Sequence, residues 1–500
     1  MLSFRLRLTG LGRDRWRWDT DRWTSGESWI KPFAHPALER SLVHNGAQGA
    51  CVVVRESAVV RESHAEGEFI RVELRPGRVR ITAGLHGTAP VYLTAAGDLL
   101  EGSWYLPDLR HACTAGRLLD RAVVRALTRR HRYSSDTLFT GVHRLTERAT
   151  ATFTPEGLRI DYPPPALHVA RARRLRPGVD PVEAFDGLLA DIVARYAVPS
   201  AGVELSGGVD SANVALTVAA LHREAGSYGL LFDGELGEQQ QRRRDTLARR
   251  LGLRDVTVPA ADWPPFTPGG CRASGVPHDP CGDFYLEAFQ AAVDRAATLG
   301  VRVVFTGMGG DEIMALRLTE RDTPLSEPGK VPWLGARARD ALVEVDHNLA
   351  PVSPAPLPSL LVFAARNPTF LRSGVWPVSP LADPLLVRFG ESLPVQWRRR
   401  KRLLRERLRR AGFPEEVADP PRPENFTALM QAGLRRHGLP LLERMLDDSI
   451  LVDAGYVDRV ALAAAHQRAT AAEEVPDPLY DTIALEVGLR SLLEKGNDGQ

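Results

Sequence analysis

Up to about residue 165, apolar positions recur with a period of two, in short runs cut by Gly, Pro and polar turns. The alternation over 1–8 reads as a strand, as do 51–54, 69–74 and 79–82. Residues 149–153 and 158–160 form a further pair, with Thr154-Pro155-Glu156-Gly157 as a hairpin turn. Residues 162–180 hold Pro163-Pro164-Pro165 and an Arg-rich stretch, so 166–180 reads as a linker between 1–165 and 181–500. Beyond it the period alternates between helix and strand. Helices are expected over 182–196, 211–221, 238–251 and 284–299. Strands are expected over 203–205, 228–232, 256–258 and 301–306. Strands separated by helices predict a parallel sheet covered on both faces, followed by a mainly helical remainder. The fold class is therefore α/β, or α+β over the whole chain.

Composition narrows this picture without redirecting it. Five hundred residues exceed one ordinary domain, and 44% hydrophobic with 25% charged residues is a globular balance. A formal net charge of +2 gives no field for nucleic acid. No apolar run is long enough to span a bilayer, and the first residues lack a signal-peptide core, so a cytoplasmic enzyme is expected. Lysines number only four, Lys31, Lys330, Lys401 and Lys495, against sixty arginines, so a role that needs lysine has few candidates. Four cysteines are too scattered for a disulfide framework. Cys271 and Cys281 flank His278 and Asp279 at a spacing that fits no standard zinc site.

The chemistry concentrates in two loops. Leu205-Ser206-Gly207-Gly208-Val209-Asp210-Ser211 lies where a strand hands over to a helix. Two glycines let backbone N–H groups approach an anion, and the helix directs its positive end at the same point. Ser206 and Ser211 add hydroxyl donors. Asp210 would repel phosphate unless a cation lies between them, which implies Mg²⁺. The spacing is not that of a P-loop. Thr306-Gly307-Met308-Gly309-Gly310-Asp311-Glu312 repeats the glycine–acid theme after another apolar strand. Two such loops at the C-terminal ends of parallel strands share one crevice, where Asp210 and Asp311 would hold Mg²⁺ on the pyrophosphate of ATP.

Residues 206–211 resemble the SGGxDS pyrophosphate loop of the asparagine synthetase superfamily, and 307–312 resemble its second motif. Gly84 to Tyr92, Thr137 to Leu145, Pro380-Leu381-Ala382-Asp383 and Lys401 to Glu406 are similar to further family segments. The resemblance implies a glutamine-amidotransferase-like domain of the Ntn type over 1–165. Over 181–500 it implies an ATP-dependent synthetase domain like the adenine-nucleotide α-hydrolases, with a helical C-terminal part. It also implies an adenine slot at Leu231 and Phe232, with Glu235 or Glu238 as a ribose partner or a helix cap.

The departures from the family pattern are as telling as the matches. Leu2 stands where glutamine-dependent members carry their nucleophilic cysteine, and Cys51 sits in an apolar run. Glutamine is therefore not expected to supply the amine. Met308 replaces the tyrosine of β-lactam synthetases and cannot take a proton. Gly307-Met308-Gly309-Gly310-Asp311 and Leu485 to Arg490 resemble segments of lasso peptide cyclases. The resemblance thus implies an isopeptide-forming macrolactam cyclase acting on a precursor peptide, with ATP and Mg²⁺, beside a leader-binding protein and a leader protease. A small-molecule amide ligase and a non-catalytic peptide-binding scaffold are the alternatives. The family lysine before Glu-x-Phe is missing, and Pro423 falls in its place. Lys401, Arg422 and Glu312 are the candidate catalytic residues. Lys401 also reads as one more charge on a basic, solvated helix, 398–402, that would alternatively meet an acidic leader.

Overall fold

The computed structural model of the chain describes residues 1–12, 14–44, 49–57, 67–166, 174–196, 200–321, 330–422 and 424–493. Pro423 and residues 167–173 of the expected linker therefore lie outside the described residues.

Two antiparallel sheets, of seven and six strands, occupy the first part. The strand Leu2–Arg7 sits inside the first sheet, between Ser28–Pro32 and Leu99–Ser103. Leu2, Phe4 and Leu6 alternate inward and are fully buried. In the second sheet, Ala50–Glu56 pairs with Leu38–His44 and Phe69–Arg75, and Val52 and Val54 enter the core. Thr150–Thr154 pairs with Gly157–Asp161 in a register that leaves Pro155 and Glu156 as the turn. The period-two reading of this region holds: each expected strand is found with its bounds moved by no more than two residues, and further strands such as Ser28–Pro32 and Val91–Ala96 join them.

The third sheet is parallel and has five strands. Its order is Arg254–Pro259, Gly226–Leu231, Ala201–Glu204, Val303–Phe305, Trp376–Val378. Helices Pro181–Ala194, Val209–Leu221 and Arg402–Arg410 share a core on one face, and Leu286–Thr298 and Leu357–Arg372 cover the other. Both faces are closed, which is why Val303-Val304-Phe305 reads as an unbroken apolar run. Trp376–Val378 was not expected. Three residues around Pro377 carry no period, and proline is tolerated because this strand lies at the edge.

The first part is fastened to the second by buried polar contacts as well as by apolar packing. Glu56 accepts hydrogen bonds from Tyr196 Oη at 2.8 Å, Trp376 Nε1 at 2.8 Å and the Glu68 amide at 2.7 Å. One core runs from Leu2 and Val52 through to Val203 and Phe305. A second joins Tyr92 and helix Asp120–Leu127 to the C-terminal helix Asp477–Leu493. Among the described residues, no helix is long and apolar enough to cross a membrane.

Candidate functional site

The sheet order places Ala201–Glu204 beside Val303–Phe305, with the earlier strands on one side and the later one on the other. The direction of winding reverses between these two strands, and in such sheets the crevice beyond their C-terminal ends takes the ligand. Both glycine–acid loops leave the sheet at that point.

The first loop is knitted by its own serines. Ser206 Oγ lies 3.0 Å from Ser211 Oγ, the Gly208 amide donates to Ser206 Oγ at 3.2 Å, and Ser211 Oγ donates to the Gly208 carbonyl at 3.1 Å. The hydroxyls expected as ligand donors therefore shape the turn. Gly207 has φ +88°, a left-handed conformation in which a side chain is strained. Behind the loop, helix Gly234–Leu251 turns Gln240, Arg243 and Arg244 inward. Gln240 donates to the carbonyls of Ser206 at 2.8 Å and Leu230 at 2.9 Å and accepts from the Phe232 amide at 3.0 Å. Arg243 donates to the Gly207 carbonyl and pairs with Glu424, and Arg244 joins Asp255 to the Leu205 carbonyl. Sequence reasoning missed this triad. Its signal was a helix whose inner positions 240, 243 and 244 are polar although buried positions are normally apolar.

The second loop presses directly onto the first. A Cβ on Gly310 would lie 2.3 Å from Asp210 Cγ, and one on Gly307 would lie 2.9 Å from the Ser211 amide nitrogen. Gly309 has φ +99°, and a Cβ on it would lie 2.5 Å from the Ala382 amide nitrogen. Thr306 is buried and shares a 2.9 Å hydrogen bond with Ser379. The glycines therefore serve the close approach of two backbones and one carboxylate.

Lys401 joins the loops. Its Nζ stands 2.6 Å from Asp210 Oδ2 and 2.6 Å from Asp311 Oδ1. The expected basic helix is broken just there: Arg400 and Lys401 have φ +52° and +53°, left-handed values that cost a non-glycine residue about 1 kcal/mol or more each. The break turns Lys401 into the crevice instead of along a solvated face. Helix Arg402–Arg410 then buries Leu403, Leu404 and Leu408. It is tied to the helix of the first loop by Asn213, which donates to the Leu404 carbonyl at 3.1 Å. Burial lowers the Lys401 pKa and the two carboxylates raise it further than that, so the ammonium stays charged. Burial raises Asp210 despite its lysine. Glu312, half-buried beside the pair, is likewise raised by burial, and no hydrogen bond links it to Lys401.

Arg422 lies apart. Its guanidinium is exposed and paired with Glu235 at 2.8 Å. Leu231 ends its strand and Phe232 follows one residue beyond it; Phe232 stands edge-on to Phe426 at 4.9 Å, whose ring lies 4.3 Å from that of Tyr285. Met308 packs between two apolar clusters. His278 is buried, its pKa pushed down to about 4 by desolvation. Glu486 of the Leu485-to-Arg490 segment has a packing role. It accepts from the Ile450 and Leu451 amides and from Ser449, and so caps the helix Ile450–Asp453.

Among the described residues, no group of three or more His, Cys, Asp or Glu side chains gathers as a metal site. The residues at the crevice nevertheless suit a magnesium ion that brings phosphate oxygens as its other ligands. Asp210 Oδ1 is buried without a hydrogen-bond partner, and Asp311 is exposed at the rim.

Residues 184–358 match the model of the asparagine synthase family. The match supports membership of the asparagine synthetase superfamily and an ATP-dependent amide ligase in general. No curated protein is matched by the chain. Among solved structures, the glutamine phosphoribosylpyrophosphate amidotransferase of B. subtilis, complexed with ADP and GMP, is similar at 9% identity over 63% of this chain and 77% of that chain. The TM-score is 0.19.

Proposed function

We propose that this chain is an ATP-dependent, AMP- and pyrophosphate-forming macrolactam cyclase. It activates an Asp or Glu side chain of a lasso precursor peptide for attack by the peptide's own N-terminal amine. The observation that carries this reading is the Lys401 ammonium held between Asp210 and Asp311 at the switch point of a parallel sheet. A cation poised over a cradle of backbone N–H groups stabilises charge as it develops on a departing pyrophosphate.

ATP enters as substrate, with its phosphates on 206–211 and its adenine toward Leu231 and Phe232. Asp210 and Asp311 would hold Mg²⁺, which supplies charge neutralisation on the phosphates when bound. The peptide carboxylate attacks the α-phosphorus, and pyrophosphate leaves toward Lys401. The resulting acyl-adenylate meets the amine of the same peptide, so the protein's remaining task is to hold the two ends together. That positioning is worth as much as roughly 7–11 kcal/mol. Glu312, whose carboxyl burial raises above its ordinary value, is the group we assign to carry a proton beside the two acids. A leader-binding protein and a leader protease complete the proposed pathway.

Met308 argues against the β-lactam alternative, because a thioether in apolar packing neither takes nor gives a proton. The test is exchange of labelled pyrophosphate into ATP with and without precursor peptide. Exchange that requires the peptide supports the cyclase. Exchange driven by a small amino acid favours the small-molecule ligase. No exchange under either condition leaves only the scaffold.

A further inference from the structure

One cavity in the described residues belongs to no step above. A cavity of about 390 Å³ lies between the first part and the C-terminal helices. Its walls are the 122–144 region, the loop 279–284, helix Leu357–Arg372 and helix Asp477–Leu493. The volume falls within the range of small-molecule and side-chain pockets. The lining is mostly apolar. Phe284 and Val362 contribute to it while remaining 36% and 40% exposed, so apolar surface is left uncovered by the chain itself.

Most of the charged groups facing this space have local partners. Asp136 is bound by Arg121 at 2.8 Å and by Arg125 at 2.8 Å. Arg132 pairs with Asp346 at 2.7 Å, and Asp481 with Arg129. Asp283 has Arg366 at 4.0 Å, and Arg144 donates to the Ser134 carbonyl at 2.9 Å above the ring of Tyr133. His131 is kept neutral by burial. Asp279 differs. Its two hydrogen bonds come from uncharged donors, Tyr92 Oη at 2.9 Å and the Cys281 amide at 2.9 Å. They occupy one lone pair on each oxygen, and no arginine, lysine or histidine forms an ion pair with it among the described residues. Arg144, in the same lining, acts on Asp279 only across space; a carboxylate in an apolar recess with no cation in contact is costly, and a ligand that places one against it recovers that cost.

The cavity is also tied mechanically to the nucleotide crevice. On helix Leu357–Arg372, Leu361, Val362 and Ala365 line the cavity. From the same helix, Leu360 and Phe363 pack with Met308 of the second loop, and Arg366 pairs with Glu204, two residues before Ser206.

We propose that this cavity anchors the substrate of the ligase through an apolar segment bearing an ammonium group, with Asp279 as the counter-ion. The proposal rests on the amide-ligase reading for the identity of the ligand, but its test does not. The probes are phenethylamine, which is apolar and cationic, and its neutral N-acetyl derivative, titrated calorimetrically into the full-length protein. Protection of Cys281, which lines the cavity, from iodoacetamide is followed in parallel.

The wild type should bind the amine at least about tenfold tighter than the amide, and the amine should protect Cys281. Asp279→Asn should bind both probes alike. Val362→Trp, which fills the cavity from a part-exposed position and so tolerates the larger ring, should bind neither. Both variants should keep wild-type ATP affinity, which reports that they are folded. Equal affinity of the wild type for the two probes, amine preference retained by Asp279→Asn, or unchanged binding by Val362→Trp would each overturn the assignment. If the pocket behaves as expected but no peptide supports pyrophosphate exchange, the pocket stands and the cyclase reading falls.

Discussion

Gly310→Ala sets two physical effects against each other. Gly310 opens the short helix Gly310–Ile313 with an ordinary negative φ. On propensity alone, alanine there would stabilise the protein by about 0.4–1 kcal/mol. The new Cβ, however, would sit 2.3 Å from Asp210 Cγ and 2.6 Å from Asp210 Oδ1. Ordinary contact begins near 3.4 Å, so the carboxylate must retreat by about 1.1 Å. The helix backbone has little room to yield instead, because the space behind Gly309 is closed by Ala382, whose amide nitrogen would lie 2.5 Å from a Cβ there. A retreat of that size stretches the 2.6 Å bond from Lys401 beyond hydrogen-bonding range. The loss is a charge-assisted bond worth about 1.5–3 kcal/mol, and a misplacement near 1 Å at a reacting centre costs on the order of a hundredfold in rate. Gly310→Ala should therefore lower substrate-dependent ATP–pyrophosphate exchange by roughly 10²-fold. Thermal stability should stay level or fall by about 1–3 kcal/mol. A variant with full exchange and a raised melting temperature would refute the account of the two loops as one interlocked site.

Lys401→Met removes the cation between the acids and should reduce exchange by about 10²–10³-fold while ATP binding falls less; isothermal titration beside the exchange assay separates the two. Gln240→Leu leaves the Ser206 and Leu230 carbonyls and the Phe232 amide without their partner, so the apparent affinity for ATP should weaken about tenfold, read from the concentration dependence of exchange. Asp481 is pushed up to about 7 by burial, the folded state holding its proton more tightly than the unfolded chain. Its contribution to stability is therefore complete below about pH 4 and is lost as pH rises through 7. Denaturant titrations across that range should show the decline in the wild type and a flatter profile in Asp481→Asn.

Much of this was legible because periodicity and glycine placement are local signals. The strand–loop–helix at 201–221 and the glycine–acid run after 303–305 follow from apolar patterning, and their adjacency follows from the parallel sheet the pattern predicts. What stayed hidden depends on tertiary approach. Nothing local marks Lys401 as inward-facing, since it stands in an arginine run and turns only because two residues take left-handed backbone angles. The same holds for Arg422, which is close in sequence to the missing family lysine yet is spent on Glu235 at the surface. The serines of the first loop were legible as polar, but their mutual hydrogen bonds depend on the turn they create.

Glu56 carries a consequence for how the molecule comes apart. Its carboxylate sits on the rim of one β-sheet and accepts hydrogen bonds from Tyr196, just past the first helix of the second part, and from Trp376 on the edge strand of the parallel sheet. Pulling the two parts apart would strand a buried charge on one side and two buried donors on the other, each worth about 1–3 kcal/mol, and would open a core that has no seam. Heat should therefore melt the chain in one calorimetric transition instead of two. A truncation after residue 165 should yield an insoluble fragment rather than a smaller ligase.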